Sequence, residues 1–542
     1  MPGAVVLGCD DSDHDVALVG QATQTRWLAS RDRRQYLVVA AVIAVNAVVI
    51  GLQYYGATVD GAPPDNVLAC NSVVAWNVAS KCGIGAQDCL PFSSDQWQTA
   101  RCPAGCVSGY QKLVPIGSSP YRADSGICLS ATHSGLIGPL GGCFKFRLSG
   151  SAPYFSSSYQ NGIQSVEFPA PFPMSYVVEP ADSTTLCRDI WVVLLPIVLL
   201  LSMAALLAVR VGARTLWIGI VAAGAIYTAG VAYAQIDPVP FARLILNNGT
   251  VLGGFSWLLW ECGGRHQIGN SIEKRPLHLF LYYIVPYFVF LNIDFLSAIS
   301  PVLNFGLDYK LSLTSPLLIT FLVMLLLLVV VSLAYMVRRI REAGVLRSVG
   351  ALYLQTLGPI IVIIVLLGLM SPGSVPHYHH YAFALSIWPL ASVRLPPNRW
   401  TMMMQASLLS LFVNGALRWG LASPLDLVPS NAVNDWRPEP VLSAGVIKNN
   451  VASINVSWQG DAVYPVATYS LRLDDVELYR GPDNAFTLAS VSTDVRYKHK
   501  LVVVEIAPSA SPESHGTVYF GFEANGTLVV AKSMDELKKQ TS

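Results

Sequence analysis

Apolar and polar positions divide the chain into stretches of different rhythm. From Leu37 to Tyr55 the residues are almost continuously apolar, enough for one helix to cross about 30 Å of hydrocarbon. Residues 56–189 lose that character, and long apolar runs return at 190–209, 215–235, 239–260, 277–299, 316–337, 350–370, 379–394 and 400–421. The run at 239–260 is the least regular, because it carries Arg243, Asn247, Asn248 and several glycines; a re-entrant or interfacial segment is its alternative reading. Beyond Val441 the rhythm shortens to period two, in Ser453–Trp458, Thr468–Leu473, Lys500–Ile506 and Gly516–Phe522. With turns at Asp474-Asp475, Gly481–Asn484 and Asn525-Gly526, this predicts an antiparallel β-sandwich of about 90 residues.

Composition and charge turn these runs into a topology. The chain is 53% hydrophobic and 13% charged over 542 residues, too apolar for an ordinary soluble protein of this length, and reads as a multi-pass membrane protein. A net charge of +1 offers no field for nucleic acid, so the informative charges are local. An acidic segment with Asp10, Asp11, Asp13 and Asp15 precedes the first run, which argues for a retained signal anchor over a cleaved signal peptide. Arg26, Arg31, Arg33 and Arg34 lie before that run and Asp60 and Asp65 after it, so the N-terminus is expected in the cytosol. If 239–260 crosses, four basic connectors fall on the cytosolic side: Arg210 with Arg214; Arg265 with Lys274 and Arg275; Arg338, Arg339, Arg341 and Arg347; and Arg394 with Arg399. This predicts nine spans, an all-α bundle and an extracytoplasmic C-terminus.

The expected organisation is a cytosolic tail at 1–36, an anchor at 37–55, an ectodomain at 56–189, a multi-span bundle at 190–421, a proline-rich linker at 422–440, the β domain at 441–530 and a charged tail at 531–542. Eight of the ten cysteines (Cys70, Cys82, Cys89, Cys102, Cys106, Cys128, Cys143 and Cys187) fall in the ectodomain. Disulfides persist in oxidising compartments, which places this stretch in the secretory pathway or at the cell surface. Eight cysteines allow 105 pairings, and residues alone do not choose among them. A zinc site is the competing use, but Cys102-x3-Cys106 has no matching second pair or nearby His-x3-His. Sequons at Asn455 and Asn525 fit an external β domain and make a glycoprotein the expectation, whereas Asn248 would lie within a span and stay unmodified.

The segments Cys102-Pro-Ala-Gly-Cys106, Tyr121-Arg-Ala-Asp-Ser-Gly-Ile-Cys128, Ala131-Thr-His-Ser-Gly135 and Gly141-Gly142 occur in order and at close spacing. Together they resemble the LCCL domain, with its core at about 82–148. The resemblance implies an α+β fold with a central helix wrapped by strands, Cys106 paired to Cys128, and Cys102 paired upstream to Cys82 or Cys89. Cys143, Cys70 and Cys187 are extra to that four-cysteine core. Residue physics predicts a helix over 125–134 with Ser125 as its N-cap, and a packed or capping role for His133. Modules of this family are thought to bind lipids, polysaccharides or matrix components. The order of anchor, LCCL domain, multi-span region and β domain, with His377-Tyr-His-His-Tyr381, Trp388-Pro-Leu390 and Leu411-Phe-Val-Asn-Gly415, resembles the LCCL domain-containing membrane proteins of fungi.

The expected topology puts Asp237, Asn292, Asp294, His377, His379, His380, Asn414 and Arg418 at external span ends. A metal held by His377, His379, His380 and Asp294 could activate water, which defines the alternative reading of a membrane-embedded, zinc-dependent lipid hydrolase. Glu261 and His266 flank a Gly263-Gly264 turn and read as a span end; Pro196, Pro286 and Pro359 would kink their spans. A channel or transporter is a third reading, disfavoured by the lack of an inverted repeat or phosphate-binding glycine motif. The leading expectation is a non-enzymatic protein without cofactor, whose partners are the bilayer and a lipid, glycan or protein ligand.

Overall fold

The computed structural model describes residues 21–59, 61–76, 82–106, 114–168, 170–181, 187–232, 240–292 and 316–347, scattered helical positions from 349 to 366, and then 375–376, 380–392, 398–420, 425–426, 440–448, 451–458, 467–483, 485–492, 499–508, 514–522 and 528–531. It has a helical first segment, a disulfide-linked α+β region, a largely helical middle and a C-terminal part made of sheets.

Helix α1 (Gln21–Tyr55) leads into the cysteine-rich region, whose sheet takes in β1 (Asn66–Val67), β2 (Gln98–Cys102), β3 (Tyr121–Arg122) and β4 (Gly142–Ala152). After a short ribbon of β5 (Tyr159–Gln160) and β6 (Ile163–Gln164), β7 (Phe172–Pro180) completes it in the order β1-β2-β4-β7-β3. Only the β1–β2 pair is parallel in this sheet. The helix α2 (Ile127–His133) packs on it through Ile127, Cys128 and Ala131, which share a core with Ala100, Phe144, Phe146 and Tyr176. Helix α2 begins two residues later than the residue pattern predicts. Ser125 does not cap it: the Ser125 hydroxyl accepts from the Ile116 amide at 2.8 Å, and Gly126 stands at the N-cap without a side-chain bond. At Gly141 a β-carbon would strike the Cys102 carbonyl and the Pro103 backbone, so the approach of this turn to the Cys102 loop requires glycine.

In the helical middle, α3 (Trp191–Ala208) and α4 (Ala213–Tyr227, continued through Ala232) follow the disulfide-linked region, then α5 (Phe241–Leu259) and α6 (Arg265–Lys274). A short α7 (Pro276–Leu279) runs through a π-helical turn into α8 (Val285–Leu291), and α9 (Pro316–Glu342), α10 (His380–Ala391) and α11 (Arg399–Trp419) follow. Arg33–Gln53, Trp191–Ala208 and Ala213–Ala232 are long and apolar enough, by length and composition, to cross a membrane; Pro276–Leu291 and Tyr381–Ala391 are shorter apolar helices. Pro196 lies inside α3, and Pro286 lies in the first turn of α8.

Side-chain bonds fix which ends of these helices meet. Towards the middle of α1 the Gln35 amide donates to the Arg210 carbonyl just past the end of α3, at 2.9 Å; near the finish of α1, the Gln53 amide reaches the Gly230 carbonyl at 3.1 Å. Between them Asn46 donates to the Ser202 hydroxyl at 2.9 Å. Trp217, early in α4, donates to the Ser256 carbonyl late in α5 at 3.2 Å, and the Tyr227 hydroxyl, late in α4, meets Asn292 just past α8. Along α11, Phe412 lies against Phe255, and the Leu417 carbonyl accepts from Asn248 nearer the start of α5. These pairs make α1/α3, α3/α4, α4/α5 and α5/α11 antiparallel.

One end of the helical body therefore collects basic residues. Glu261 lies 3.3 Å from Arg265 and 3.9 Å from Arg214, Arg399 stacks over Tyr282, and Trp400 faces Tyr335 one turn before Arg338. The other end carries the finish of α1, the start of α3 and the finish of α11, so the cysteine-rich region and the chain leading to the C-terminal sheets both depart from there.

After the two-residue strands β8 (Val375–Pro376) and β9 (Leu425–Asp426), the C-terminal part forms two antiparallel sheets. One joins β10 (Pro440–Lys448), β11 (Val451–Trp458) and β14 (Ala485–Ser492). The other joins β12 (Ala467–Leu473), β13 (Val476–Gly481), β15 (His499–Pro508), β16 (Ser514–Phe522) and β17 (Leu528–Ala531). Ile454, Val456 and Leu488 of the first bury against Leu471, Val518 and Phe520 of the second.

Candidate ligand-binding site in the disulfide-linked region

The cysteines pair as Cys70–Cys106, Cys82–Cys89, Cys102–Cys128 and Cys143–Cys187. This corrects the expected Cys106–Cys128 bond and the expected link from Cys102 to Cys82 or Cys89. The reason is packing: β2 ends at Cys102 beneath the first turn of α2, where Cys128 lies, while Cys106 is carried past the Pro103–Gly105 turn to the loop holding Cys70. Cys70, Cys143 and Cys187 thus belong to the bonded framework. The Pro103–Gly105 turn also carries Ala104 into the apolar core of the helical body.

His133 is fully buried. Burial pushes the Tyr121 phenol up to about 12, so it remains a donor, and its hydroxyl lies 2.7 Å from His133 Nδ1. Nδ1 then accepts, and Nε2 donates to the Ser158 carbonyl at 3.1 Å. Both ring nitrogens are spent on packing, which leaves no imidazole face for a metal or substrate.

Arg122, in the same motif, is a different kind of buried residue. Its guanidinium lies 4.1 Å above the Phe168 ring and 4.7 Å from that of Phe172, and its Nε donates to Asp124 Oδ1 at 2.7 Å, with Nη2 on Asp124 Oδ2. Nη1 points out of this seat and donates to Asp475 Oδ2 at 3.0 Å, a residue more than 350 positions away on the C-terminal sheets. Burial alone would pull its proton affinity down, but the Asp124 and Asp475 carboxylates more than offset that and raise it.

A second polar surface lies on the outer face of β4, where Lys145 and Arg147 approach the Trp97 ring at 5.2 and 5.0 Å. Sequence reasoning named neither this cluster nor the role of Arg122. The Tyr121-Arg122 pair was legible as a motif, but Trp97 joins Lys145 and Arg147 only through the β2–β4 register.

Among the described residues no three His, Cys, Asp or Glu side chains gather as a metal site would need. Asp237, Asp294, His377, His379 and Asn525 lie outside the described residues, and His380 opens α10. Of the other span-end groups, Asn292 caps into the Phe288 carbonyl at 2.8 Å, and Asn414 and Arg418 are buried in α11. Asn455 is exposed on β11 and accepts from Thr487 at 2.9 Å.

The arrangement of a buried Tyr–His pair, an α2 tethered by Cys128 and a five-stranded sheet coincides with a family match: the LCCL domain model covers residues 77–172. The chain contains an LCCL domain. Over 65 residues it is 43% identical to Cysteine-rich secretory protein LCCL domain-containing 1 of Gallus gallus, and over 69 residues 35% identical to human Vitrin, in each case about a tenth of both chains. A longer match runs through the helical body: 24% identity over 511 residues, 83% of this chain and 70% of the relative, to Uncharacterized protein YIL067C of Saccharomyces cerevisiae. The LCCL domain is typically an extracellular binding module.

Proposed function

We propose that the protein is a multi-pass membrane protein that holds its LCCL domain and a C-terminal β-sandwich side by side in the extracytoplasmic compartment, where the LCCL domain binds an anionic lipid headgroup, glycan or matrix component. The observation that carries this is the segregation of the helix ends. Arg210, Arg214, Arg265, Arg338 and Arg399 collect at one end, and both domains leave from the other. Positive charge is retained on the cytosolic side of a bilayer, so one end is the cytosolic face and the other the lumenal or outer face. The antiparallel run of α5 alongside α4 and α11 supports counting 239–260 as a span, which gives nine in all and brings the C-terminus out beside the LCCL domain.

Trp97 with Arg147 and Lys145 offers the chemistry for the ligand: an indole face for an apolar or sugar ring, the Arg147 cation for its charge, and Lys145 beside it, 3.8 Å from Glu179. The full chain in detergent should co-sediment with vesicles carrying phosphatidylserine, or be retained on a sulfated glycan matrix. Lys145→Glu with Arg147→Glu should lower that retention by about tenfold or more. Equal retention by the charge-reversed chain would move the ligand site off β4. An epitope tag after Ser542 should react in intact cells or right-side-out vesicles without permeabilisation, and a tag seen only after opening the cytosolic face would overturn the topology.

A further inference from the structure

The seat around Arg122 is built for an anion and is filled by the chain itself. A guanidinium held between Phe168 and Phe172, with one edge spent on Asp124, has a single direction left for a partner. Asp475 supplies that partner from the tip of the β12–β13 hairpin, and Val476 beside it packs into the apolar cluster that contains Phe168 and Phe172. Strand β13 lies along the Ile84–Cys89 turn, which the Cys82–Cys89 bond closes into a lip of the seat.

The hairpin tip is costly for the residues it uses. Leu473 pairs with Val476, so Asp474 and Asp475 form a two-residue loop, with φ of 49° and 67°. Both values lie in the left-handed region, where glycine is the less strained choice. Holding an aspartate there makes physical sense when its carboxylate has a fixed destination, and the destination is Arg122.

We propose that the Arg122 seat is a carboxylate-binding site of the LCCL domain, occupied in cis by the Asp475 hairpin, and that an acidic turn of a partner polypeptide takes the same seat when the hairpin leaves. The C-terminal domain then acts as a resident competitor: the seat is open to a partner only in the fraction of molecules whose hairpin is undocked, and the apparent affinity is reduced by that fraction. This rests on the two domains sharing one compartment, and it concerns a surface separate from Trp97, Lys145 and Arg147.

The test uses the full chain in detergent and a fluorescent, disulfide-cyclised peptide reproducing residues 469–480. Asp475→Gly in the chain relaxes the turn while removing the carboxylate, so the hairpin stays folded but loses the ion pair that docks it, and the seat is open in a larger fraction of molecules. The peptide should bind the Asp475→Gly chain at least about tenfold more tightly than the unaltered chain. A peptide with glycine in place of Asp475 should bind neither. Hydrogen exchange supplies the second measurement: segments 84–89 and 168–172 should lose protection in the variant and regain it when the peptide is added. Equal peptide affinity in both chains, or exchange unchanged by the substitution, would overturn the proposal while leaving the membrane topology intact. Protection restored by phosphatidylserine vesicles and not by the peptide would also overturn it, in favour of a lipid anion. A Ser542 tag on the cytosolic side would remove the topology and the cis contact together.

Discussion

Asp189 links two parts of the molecule through one carboxylate. It stands just before α3, takes the Ala104 amide on Oδ2 at 3.3 Å and lies 3.7 Å from Arg101, while its own amide donates to the Leu140 carbonyl at 2.7 Å. Burial pushes its carboxyl above the ordinary value of 3.8, and Arg101 and the Ala104 amide pull the other way without cancelling that. A raised folded pKa means that its contribution is complete below the unfolded value and is lost as pH rises through the folded one. Relative to Asp189→Asn, the unaltered chain should therefore be favoured near pH 3.5 and lose ground as pH rises, measured by denaturant unfolding across that range. Glu477 has the opposite sign. Burial works against its charge, but bonds from Arg480 and Ser470 at 2.7 Å each outweigh it and hold its carboxyl below 4.5. Its stabilisation is present above that value and fades as pH falls through the folded pKa, so Glu477→Gln should narrow the acid loss of the β domain followed by circular dichroism. His133→Ala would take from the buried Tyr121 hydroxyl its acceptor at 2.7 Å and leave a cavity beneath α2, a cost of about 2–4 kcal/mol readable as a lower denaturation midpoint.

At the scale of elements, α2 is too short to persist alone and owes its place to one covalent bond and one face. Seven residues give fewer than two full turns, below the length at which isolated helices form in water. Cys128 ties its first turn to the end of β2 across a separation of 26 residues, which the loop-closure argument values at about 3.5 kcal/mol. Replacing Cys102 and Cys128 together by alanine should lower the unfolding midpoint accordingly. Peptide mapping under non-reducing conditions should recover Cys70–Cys106, Cys82–Cys89, Cys102–Cys128 and Cys143–Cys187 as four separate links. The motif around Cys128 was readable from the residues, yet its partner was not. Cys102 and Cys106 lie only four residues apart along the chain, and the choice between them depends on where β2 ends against α2.

At the scale of the whole molecule, the proposed topology draws on the arginine pattern and on the helix packing by separate routes. The first rests on charge in short connectors, the second on which side chains meet: Gln35 with Arg210, Trp217 with Ser256, Asn248 with Leu417. If the end carrying the LCCL domain faces the secretory lumen, Asn455, exposed on β11, should carry a glycan. Enzymatic deglycosylation should then increase gel mobility, and Asn455→Gln should reduce that shift. No shift in either chain would count against a lumenal β domain.

What the residues determined by themselves were the features set by local composition and period: apolar runs long enough for a helix to span, period-two strands after Val441 and a cysteine-rich LCCL stretch. Each depends on neighbours a few positions apart, and a linear pattern records such neighbours faithfully. The disulfide partners, the Trp97–Lys145–Arg147 surface and the meeting of Arg122 with Asp475 were decided only by tertiary structure. They join residues from separate strands and domains, whose proximity comes from strand register, sheet order and the antiparallel return of the helices. Asp474-Asp475 read along the chain is a turn; only the docked fold turns one of its carboxylates into the counter-ion of a buried arginine.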